Sequence, residues 1–184
     1  MDTNLMISII AAVADNNVIG HQGKVPWRLT SDLRRFAKIT KGCNQDVQPM
    51  VIMGRKTFES LPEDFRPLPQ RTNIILTGNS LYQANGCFVA HSFGEVIIWA
   101  EHYTQVTGQK EIFIAGGAQI YQLALPLAQN LYLTRVHLSS VGDTYFPQWD
   151  VDQWRLIDSE NHPANPEQGD ECCFTFEVWK RKED

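Results

Sequence analysis

The sequence predicts a single α/β domain built on a mostly parallel central sheet. Short apolar runs rich in β-branched residues alternate with segments of helical periodicity, which is the pattern of parallel strands joined by crossover helices. Two strand-like stretches joined by a turn-rich loop close the chain, and they are typical of an antiparallel hairpin. The length of 184 residues suits one domain spanning residues 1–184, in which residues 1–5 form a short N-terminal extension.

The first elements are a buried strand, a long loop and an amphipathic helix. The continuous apolar run of residues 6–14 (MISIIAAVA) is typical of a strand buried on both faces. Residues 15–27 (DNNVIGHQGKVPW) form a loop of the length that often carries function. The helix that follows stops near Gly42. Its periodicity predicts a core side made of Leu29, Leu33, Phe36 and Ala37. It predicts a solvent side made of Arg34, Arg35 and Lys38.

The remaining elements continue the alternation. Strand-like runs lie at 50–54, 73–78, 87–92, 111–114 and 130–138. Helical segments lie at 55–61 and 93–103, with a third after the glycine turn that follows residue 114. The closing hairpin pairs 154–161 with 172–182. In its second strand Phe174, Phe176 and Val178 alternate with polar or aromatic neighbours, as expected near the edge of a sheet.

Composition and charge narrow the classes of function. The formal net charge of −5 argues against a general binder of nucleic acid or anionic membranes. No segment resembles a signal peptide, and no apolar run approaches the roughly 18 residues that span a bilayer. The cysteines, Cys43, Cys87, Cys172 and Cys173, lack CxxC spacing, and the histidines lack ligand spacing. We expect a cytoplasmic protein with reduced thiols and no metal site.

Two glycine turns favour a dinucleotide ligand. Residues 114–121 (IAGGAQIY) place glycines between a strand and a helix, where a ligand can approach the backbone and a phosphate can meet the helix start. Residues 54–58 (GRKTF) repeat the arrangement and add Arg55 and Lys56, a cationic pair that can clamp a phosphate. Each turn alone is also compatible with a tight connection or solvated cations. GxGxxG is absent, so a standard dinucleotide fold is not expected.

Two further features concern a carboxylate and its receptor. Arg66 and Arg71 flank two prolines, and an arginine on a stiff loop is a good bidentate receptor for a carboxylate, although a surface turn has the same composition. Asp32 lies four residues before Phe36 and therefore shares its side of the helix. The helix dipole explains an acid in the first turn but not its inward side. A buried carboxylate needs a hydrogen-bonding partner, and a cationic or amidine-like heterocycle would be one.

Taken together, these motifs resemble the dihydrofolate reductase family. The similarity runs in the family's order through MISIIAAVADNNVIG, PWRLTSDLRRF, VIMGRKTFESL, RPLPQRTNIIL, IAGGAQIYQLALP, LYLTRV and GDTYFP to the terminal strand. The resemblance implies an eight-stranded, mostly parallel sheet with an antiparallel C-terminal strand and about four flanking helices. It also implies reduction of 7,8-dihydrofolate to tetrahydrofolate by NADPH in one-carbon metabolism, and antifolate inhibitors such as trimethoprim and methotrexate as ligands.

The resemblance assigns roles to individual residues. Asp32, supported by the hydroxyl of Thr134, pairs with the 2-amino group and ring nitrogen of the pterin, and Trp27 holds a water. The hydride goes to C6, and N5 is protonated by water admitted near Asp32. The loop from Val18 to Lys24 closes over the nicotinamide, and a cis peptide joins Gly116 and Gly117.

The implied binding sets are larger. The substrate set is Ile10, Ala11, Val25, Asp32, Phe36, Leu61, Arg66, Leu68, Arg71, Ala115, Tyr121 and Thr134. The NADPH set is Ala12, Val18, Ile19, Gly20, Gly23, Lys24, Gly54, Arg55, Lys56, Thr57, Leu76, Thr77, Gly78, Gly116, Gly117, Ala118, Gln119, Ile120, Tyr121 and Leu123. Within the first set, Arg71 binds the α-carboxylate of the glutamate tail.

The chain departs from the family pattern at a few positions. Ala115 replaces a bulkier aliphatic residue and should enlarge the pterin pocket, which weakens diaminopyrimidine antifolates. Gly78 stands where a hydroxyl often meets the 2′-phosphate, so Arg55 must contribute more to NADPH selectivity. Gln119 replaces a basic residue, and Val25 replaces a longer side chain. Residues 62–65 lengthen the segment before Arg66.

Two other functions remain open on the sequence. A related NADPH-dependent reductase of riboflavin synthesis shares the sheet and the cofactor, and a non-catalytic dinucleotide-binding module could share the fold. Asp32, Trp27, Thr134 and Arg71 favour folate chemistry. We expect a monomer whose partners are dihydrofolate and NADPH, with no nucleic acid or membrane.

Overall fold

The computed structural model describes residues 5–42 and 47–182. Of the expected N-terminal extension only Leu5 belongs to this part, where it packs against the core. Cys43 and most of the polar connection before the second buried strand lie outside the described residues.

Ten strands and four α-helices are formed within the described residues. The strands are β1 (Met6–Ala14), β2 (Val18–Gly20), β3 (Met50–Gly54), β4 (Thr72–Leu76), β5 (Phe88–Ala90), β6 (Glu111–Ile114), β7 (Asn130–Val136), β8 (Thr144–Tyr145), β9 (Trp154–His162) and β10 (Phe174–Arg181). The helices are α1 (Thr30–Lys41), α2 (Arg55–Ser60), α3 (Phe93–Thr107) and α4 (Ala118–Ala124). These bounds match most of the predicted elements, but β2 lies within the segment predicted as a loop, α3 continues to Thr107, and the third buried strand ends at Leu76, before Thr77 and Gly78.

Eight of the strands form one sheet in the order β5-β4-β3-β6-β1-β7-β10-β9. All neighbours are parallel up to β7, and β10 runs antiparallel to both β7 and β9. β2 and β8 form a separate antiparallel pair. The predicted fold class is therefore confirmed, with β1 near the middle of the sheet.

The core explains why the central strands are continuous apolar runs. Ile9 and Val13 of β1 and Ile52 of β3 are completely buried, because both faces of the sheet are covered. The closing hairpin lies at the edge as expected, with β9 outermost. β10 is internal, so Thr175 is buried beside Phe174 rather than exposed.

Two predictions about α1 are wrong. Leu33 is 64% exposed instead of facing the core. Arg35 turns inward, where it donates hydrogen bonds to the carbonyls of Leu133 and Glu177. The inner stripe of α1 runs through Asp32, Arg35, Phe36 and Ile39, at i, i+3, i+4 and i+7, and Leu33 lies about 100° around the helix from Asp32.

Candidate active site

The candidate site lies where the parallel strands end. The carboxyl ends of β1, β3, β4, β6 and β7 meet at one edge of the sheet, and ligands of open α/β sheets bind there. α1 crosses this edge beside β7, and α2 and α4 begin there. The residues expected to bind substrate and dinucleotide are therefore on neighbouring elements.

Asp32 and Thr134 join α1 to the end of β7. The Thr134 hydroxyl donates to Oδ1 of Asp32 at 2.5 Å, and Thr134 itself is 2% exposed beside Ala12 of β1. Part of Asp32 reaches the surface, but its carboxyl is surrounded by protein. Burial raises the pKa of Asp32, and nearby Asp170 adds to this. The Thr134 hydrogen bond and the positive charge of Arg35 act in the opposite direction.

Trp27 and Tyr121 are buried aromatic residues of the predicted site. Trp27 is buried in a cluster with Ala14 and Val18. Tyr121 donates its hydroxyl to the carbonyl of Ile10 at 2.8 Å, which ties α4 to β1. Burial raises the pKa of Tyr121 far above its usual value, and the charge of Asp32 adds to this. Tyr121 is therefore a neutral hydrogen-bond donor at physiological pH.

Arg71 is a buried cation with no ion pair among the described residues. It is 6% exposed, and it donates from Nε to the Pro69 carbonyl at 3.0 Å and from Nη1 to the Thr40 hydroxyl at 2.8 Å. Its guanidinium lies 5.7 Å from the centre of the Phe36 ring. Burial lowers the pKa of Arg71 to about 10, so it remains charged at neutral pH.

Arg66 lines a surface depression to which Arg71 does not contribute. Arg66 donates to the carbonyl of Glu59, at the end of α2, at 3.1 Å. It lines a depression of about 320 Å³ whose other walls are Phe58, Glu59, Tyr82, Gln83, Ala84 and Asn85. Apart from Arg66, none of these residues belongs to the predicted substrate set.

The two glycine turns lie in contact. The Gly54 amide donates to the Gly116 carbonyl at 2.7 Å. A Cβ atom on Gly116 or Gly117 would come within 3.1 Å of the Thr57 side chain, and Gly116 has φ of +125°, so neither position accepts a larger residue easily. The expected cis peptide between Gly116 and Gly117 is present.

The starts of α2 and α4 leave backbone donors available. Their N-cap residues, Gly54 and Gly117, offer no side chain to the first amides. Arg55 stands at the start of α2, where Glu59 holds it in an ion pair at 2.9 Å. Lys56 beside it is exposed. This arrangement suits an anionic, phosphate-bearing ligand.

Thr77 and Gly78, which follow β4, also lie at this edge of the sheet. Thr77 is buried, and its carbonyl lies 3.0 Å from Nδ1 of His91. A Cβ on the exposed Gly78 would meet nothing within 4 Å, so the surface beside it is open. His91 itself is exposed, and the sequence gives no signal for its contact with Thr77.

The long loop after β1 is fastened to a distant segment of the chain. β2 pairs with β8, and Asp143 donates its amide to the Gly20 carbonyl at 3.1 Å. The Gln22 amide donates to Oδ2 of Asp143 at 2.9 Å, which lowers the pKa of Asp143. Lys24 and Val25 at the end of the loop are exposed. The sequence predicted a mobile covering loop but not this attachment.

Comparisons with known proteins agree with this geometry. A model of the family described as dihydrofolate reductase matches residues 6–181. The chain belongs to the dihydrofolate reductase family. Dihydrofolate reductase of Bacillus subtilis (strain 168) is 41% identical over 177 residues, covering 96% of this chain and 95% of that protein. Dihydrofolate reductase type 3 of Salmonella typhimurium is 39% identical over 170 residues, covering 92% and 96%.

A solved structure gives the same result for the fold. Dihydrofolate reductase from Enterococcus faecalis, complexed with NADP(H) and RAB-propyl, superposes with a TM-score of 0.83 at 32% identity and covers 97% of both chains. Family membership confirms the predicted activity, NADPH-dependent reduction of dihydrofolate, over the riboflavin-pathway and non-catalytic alternatives.

Two structural features are absent from the part of the chain that the structure describes. No group of three or more histidine, cysteine, aspartate or glutamate side chains in residues 5–42 and 47–182 is arranged to hold a metal ion. In the same part of the chain, no helix combines the length and the apolar character needed to cross a membrane.

Gly142→Ala is expected to release the loop after β1. The added Cβ would lie 2.3 Å from Cγ1 of Val18 and 2.8 Å from the Gly20 carbonyl, so β2 must move away from its partner segment. Overpacking of this kind costs roughly 1–3 kcal/mol. We expect hydrogen exchange of the Gln22 amide to become about ten times faster, as measured by NMR.

Gly94→Ala is the matched control. A Cβ at that position, in the first turn of α3, meets only the Ser92 hydroxyl oxygen at 4.0 Å. Exchange at Gln22 should then equal that of the parent. Equal exchange in both variants would show that the β2–β8 contact does not hold the loop.

Proposed function

We propose that Asp32 is the residue on which this reductase orients the pterin ring of 7,8-dihydrofolate. The single observation that carries the proposal is the Asp32–Thr134 contact at the carboxyl ends of β1 and β7. Thr134 donates to one carboxyl oxygen, and that leaves Oδ2 and the remaining lone pairs as acceptors. A pterin offers a ring N–H and an exocyclic amino group side by side, so it can make a bidentate contact with such a carboxylate.

Asp32 orients and polarises the substrate more than it donates a proton directly. Its enclosure strengthens electrostatic interactions with the ring, since the local dielectric is low. Tyr121 is a poor alternative proton donor, because its raised pKa and its bond to the Ile10 carbonyl keep the phenol protonated. We therefore assign protonation of N5 to a water molecule admitted near Asp32 and positioned with the help of Trp27.

The two glycine turns would hold NADPH. Its phosphates fit the uncapped starts of α2 and α4 and the cations Arg55 and Lys56. Thr77, directly after β4, lies at the same edge of the sheet. NADPH supplies the hydride that C6 of the substrate receives. The loop fastened to Asp143 would cover this edge and exclude water.

Arg71 would bind the carboxylate of the substrate's glutamate tail. A buried arginine without an ion pair among the described residues is suited to a ligand carboxylate, and its contacts with Pro69 and Thr40 fix the direction of the guanidinium. Arg66 is oriented toward Glu59, so any contact it makes with the tail requires a different rotamer.

We further propose that the enzyme is a cytoplasmic monomer with one domain over residues 1–184. Its partners would be dihydrofolate, NADPH and antifolates, without nucleic acid or membrane. The net charge of −5 supports this view. The small side chain of Ala115, at the end of β6, supports a wider pterin pocket and weaker diaminopyrimidine binding.

Asp32→Asn is expected to lose most turnover and to keep NADPH binding. The amide preserves the shape and can still accept from Thr134, but it removes the charge that the pterin needs. We expect kcat to fall by at least about 100-fold, comparable with loss of one electrostatic catalytic group. The measurement is NADPH absorbance decay with dihydrofolate, together with NADPH binding by fluorescence. Turnover at the parent rate would remove Asp32 from the mechanism.

Arg71→Ala is expected to raise KM for dihydrofolate and to change kcat little. The tail carboxylate is bound equally in the ground and transition states, so its loss affects uniform binding. A charge-assisted bond contributes about 1.5–3 kcal/mol, so we expect KM to rise about 10- to 100-fold. Steady-state kinetics measure this, with Arg34→Ala on the exposed side of α1 as the control. A loss confined to kcat would contradict the role of Arg71.

A further inference from the structure

Arg35 holds an unusual position for a cation in an amphipathic helix. It is half-buried on the inner side of α1, three residues after Asp32, although neighbouring Arg34 is exposed to solvent. Its Nη1 lies 3.3 Å from the Leu133 carbonyl, and its Nη2 lies 3.4 Å from the Glu177 carbonyl. The guanidinium therefore reaches two adjacent strands, β7 and β10, at once.

An aromatic ring also contacts this guanidinium. The Arg35 Cζ atom lies 4.4 Å from the centre of the Phe176 ring, within cation–π range. Phe176 in turn packs against His162 and Phe174. An arginine held on a ring face and by two carbonyls has few alternative rotamers, so its charge stays in one place.

The position of this charge is tied to the proposed pterin-binding acid. Leu133, whose carbonyl accepts from Arg35, directly precedes Thr134, whose hydroxyl donates to Asp32. α1 thus meets β7 at two consecutive residues. Asp32 makes one of these contacts, and Arg35 makes the other one turn further along the helix.

We propose that Arg35 is a positioning residue for Asp32: it clamps α1 to β7 and fixes a positive charge one helical turn from the residue that orients the pterin. This inference rests on the function proposed above for Asp32. The carboxyl is then held in two ways, by a hydrogen bond from Thr134 and by a fixed charge on its own helix.

Other titratable groups face this pair from each packed element. Around Arg35 these are Asp158 and Glu160 of β9, Tyr132 of β7 and Asp32 itself. Around Asp32 they are Arg35, Tyr121 of α4 and Asp170 of the loop before β10. Asp158 and Glu160 are exposed, so water screens them strongly, whereas Asp32 is enclosed. The charge of Arg35 therefore interacts more strongly with Asp32 than with Asp158 or Glu160.

The sign of the effect follows from the charges. Burial raises the pKa of Asp32, and Arg35 opposes this by favouring the ionised form. Burial also lowers the pKa of Arg35, but the guanidinium remains protonated at any physiological pH. Loss of the charge at Arg35 must then move the ionisation of Asp32 to higher pH.

The test is a direct titration of the Asp32 carboxyl carbon by NMR in protein labelled with 13C-aspartate, assigned with Asp32→Asn. In Arg35→Met we expect the midpoint to rise by about one pH unit, the lower end of the effect of a close opposite charge. Arg35→Gln is a second neutral variant whose amide can still donate to a strand carbonyl. Arg34→Met, with the same change of charge on the exposed side, should titrate like the parent.

Kinetics provide a second readout. In the pH profile of kcat/KM, one limb should be abolished by Asp32→Asn. That limb should move to higher pH in Arg35→Met and Arg35→Gln. Arg35→Lys should restore it toward the parent position. An unchanged midpoint in both neutral variants would overturn the inference, as would an equal shift in Arg34→Met. A parent that titrates as expected but does not reduce dihydrofolate would instead overturn the proposed function, so the two failures are distinguishable.

Discussion

The enclosed carboxyl of Asp32 is the constraint on which the rest of the site depends. A carboxylate inside a protein needs donors and charge around it, and the structure provides Thr134 from β7 and Arg35 from one turn along α1. Asp170, from a loop distant in sequence, accepts from the amide and the hydroxyl of Ser31 at 2.9 and 2.6 Å and so fixes the start of the helix. The position of α1 is therefore determined by polar contacts as much as by apolar packing.

The cofactor edge is built on a different principle. There the backbone itself is the binding surface, because glycines at the ends of β3 and β6 bring two helix starts together around Thr57. The loop after β1 is fastened at several points to residues 140–146, among them hydrogen bonds of Asp143 with Gln22 and Gly20 and of Phe146 with Asn17. A substrate side held by buried contacts and a covering loop whose far end, Lys24 and Val25, is exposed are consistent with a reaction that needs a precise geometry as well as entry and exit of ligands.

The strands of the large sheet and the glycine turns could be predicted from the sequence, since both depend on local features such as continuous apolar runs and the absence of side chains. The β2–β8 pair could not, because it is short and joins segments about 125 residues apart. The inward side of Asp32 was also predictable from its spacing to Phe36. Leu33 and Arg35 were not, because hydropathy alone places a leucine inside and an arginine outside. Arg35 faces inward because its guanidinium contacts the Phe176 ring and two backbone carbonyls. These partners lie on strands about 100 and 140 residues further along the chain. Helical periodicity carries no information about such distant partners.

The enclosure of Asp32 has a consequence for stability. Because its pKa is raised in the folded protein, the native state binds the proton more tightly than the unfolded chain does. Stability contributed by this group is therefore present below the unfolded value of about 3.9 and is lost as pH rises through the folded pKa. Above its folded pKa the ionised carboxyl no longer makes this contribution, and the substrate's pterin is the partner that would compensate for the loss.

The most direct measurement is the free energy of unfolding of the ligand-free parent and of Asp32→Asn, by urea denaturation at a series of pH values from about 4 to 8. We infer that the enclosed carboxylate binds the pterin and lowers the stability of the ligand-free protein. Asp32→Asn should then gain stability relative to the parent as pH rises. At neutral pH it should be the more stable protein of the two. A parent that is the more stable protein at neutral pH would contradict this, and so would a difference that does not change with pH. Either result would mean that the carboxyl serves the fold rather than the substrate.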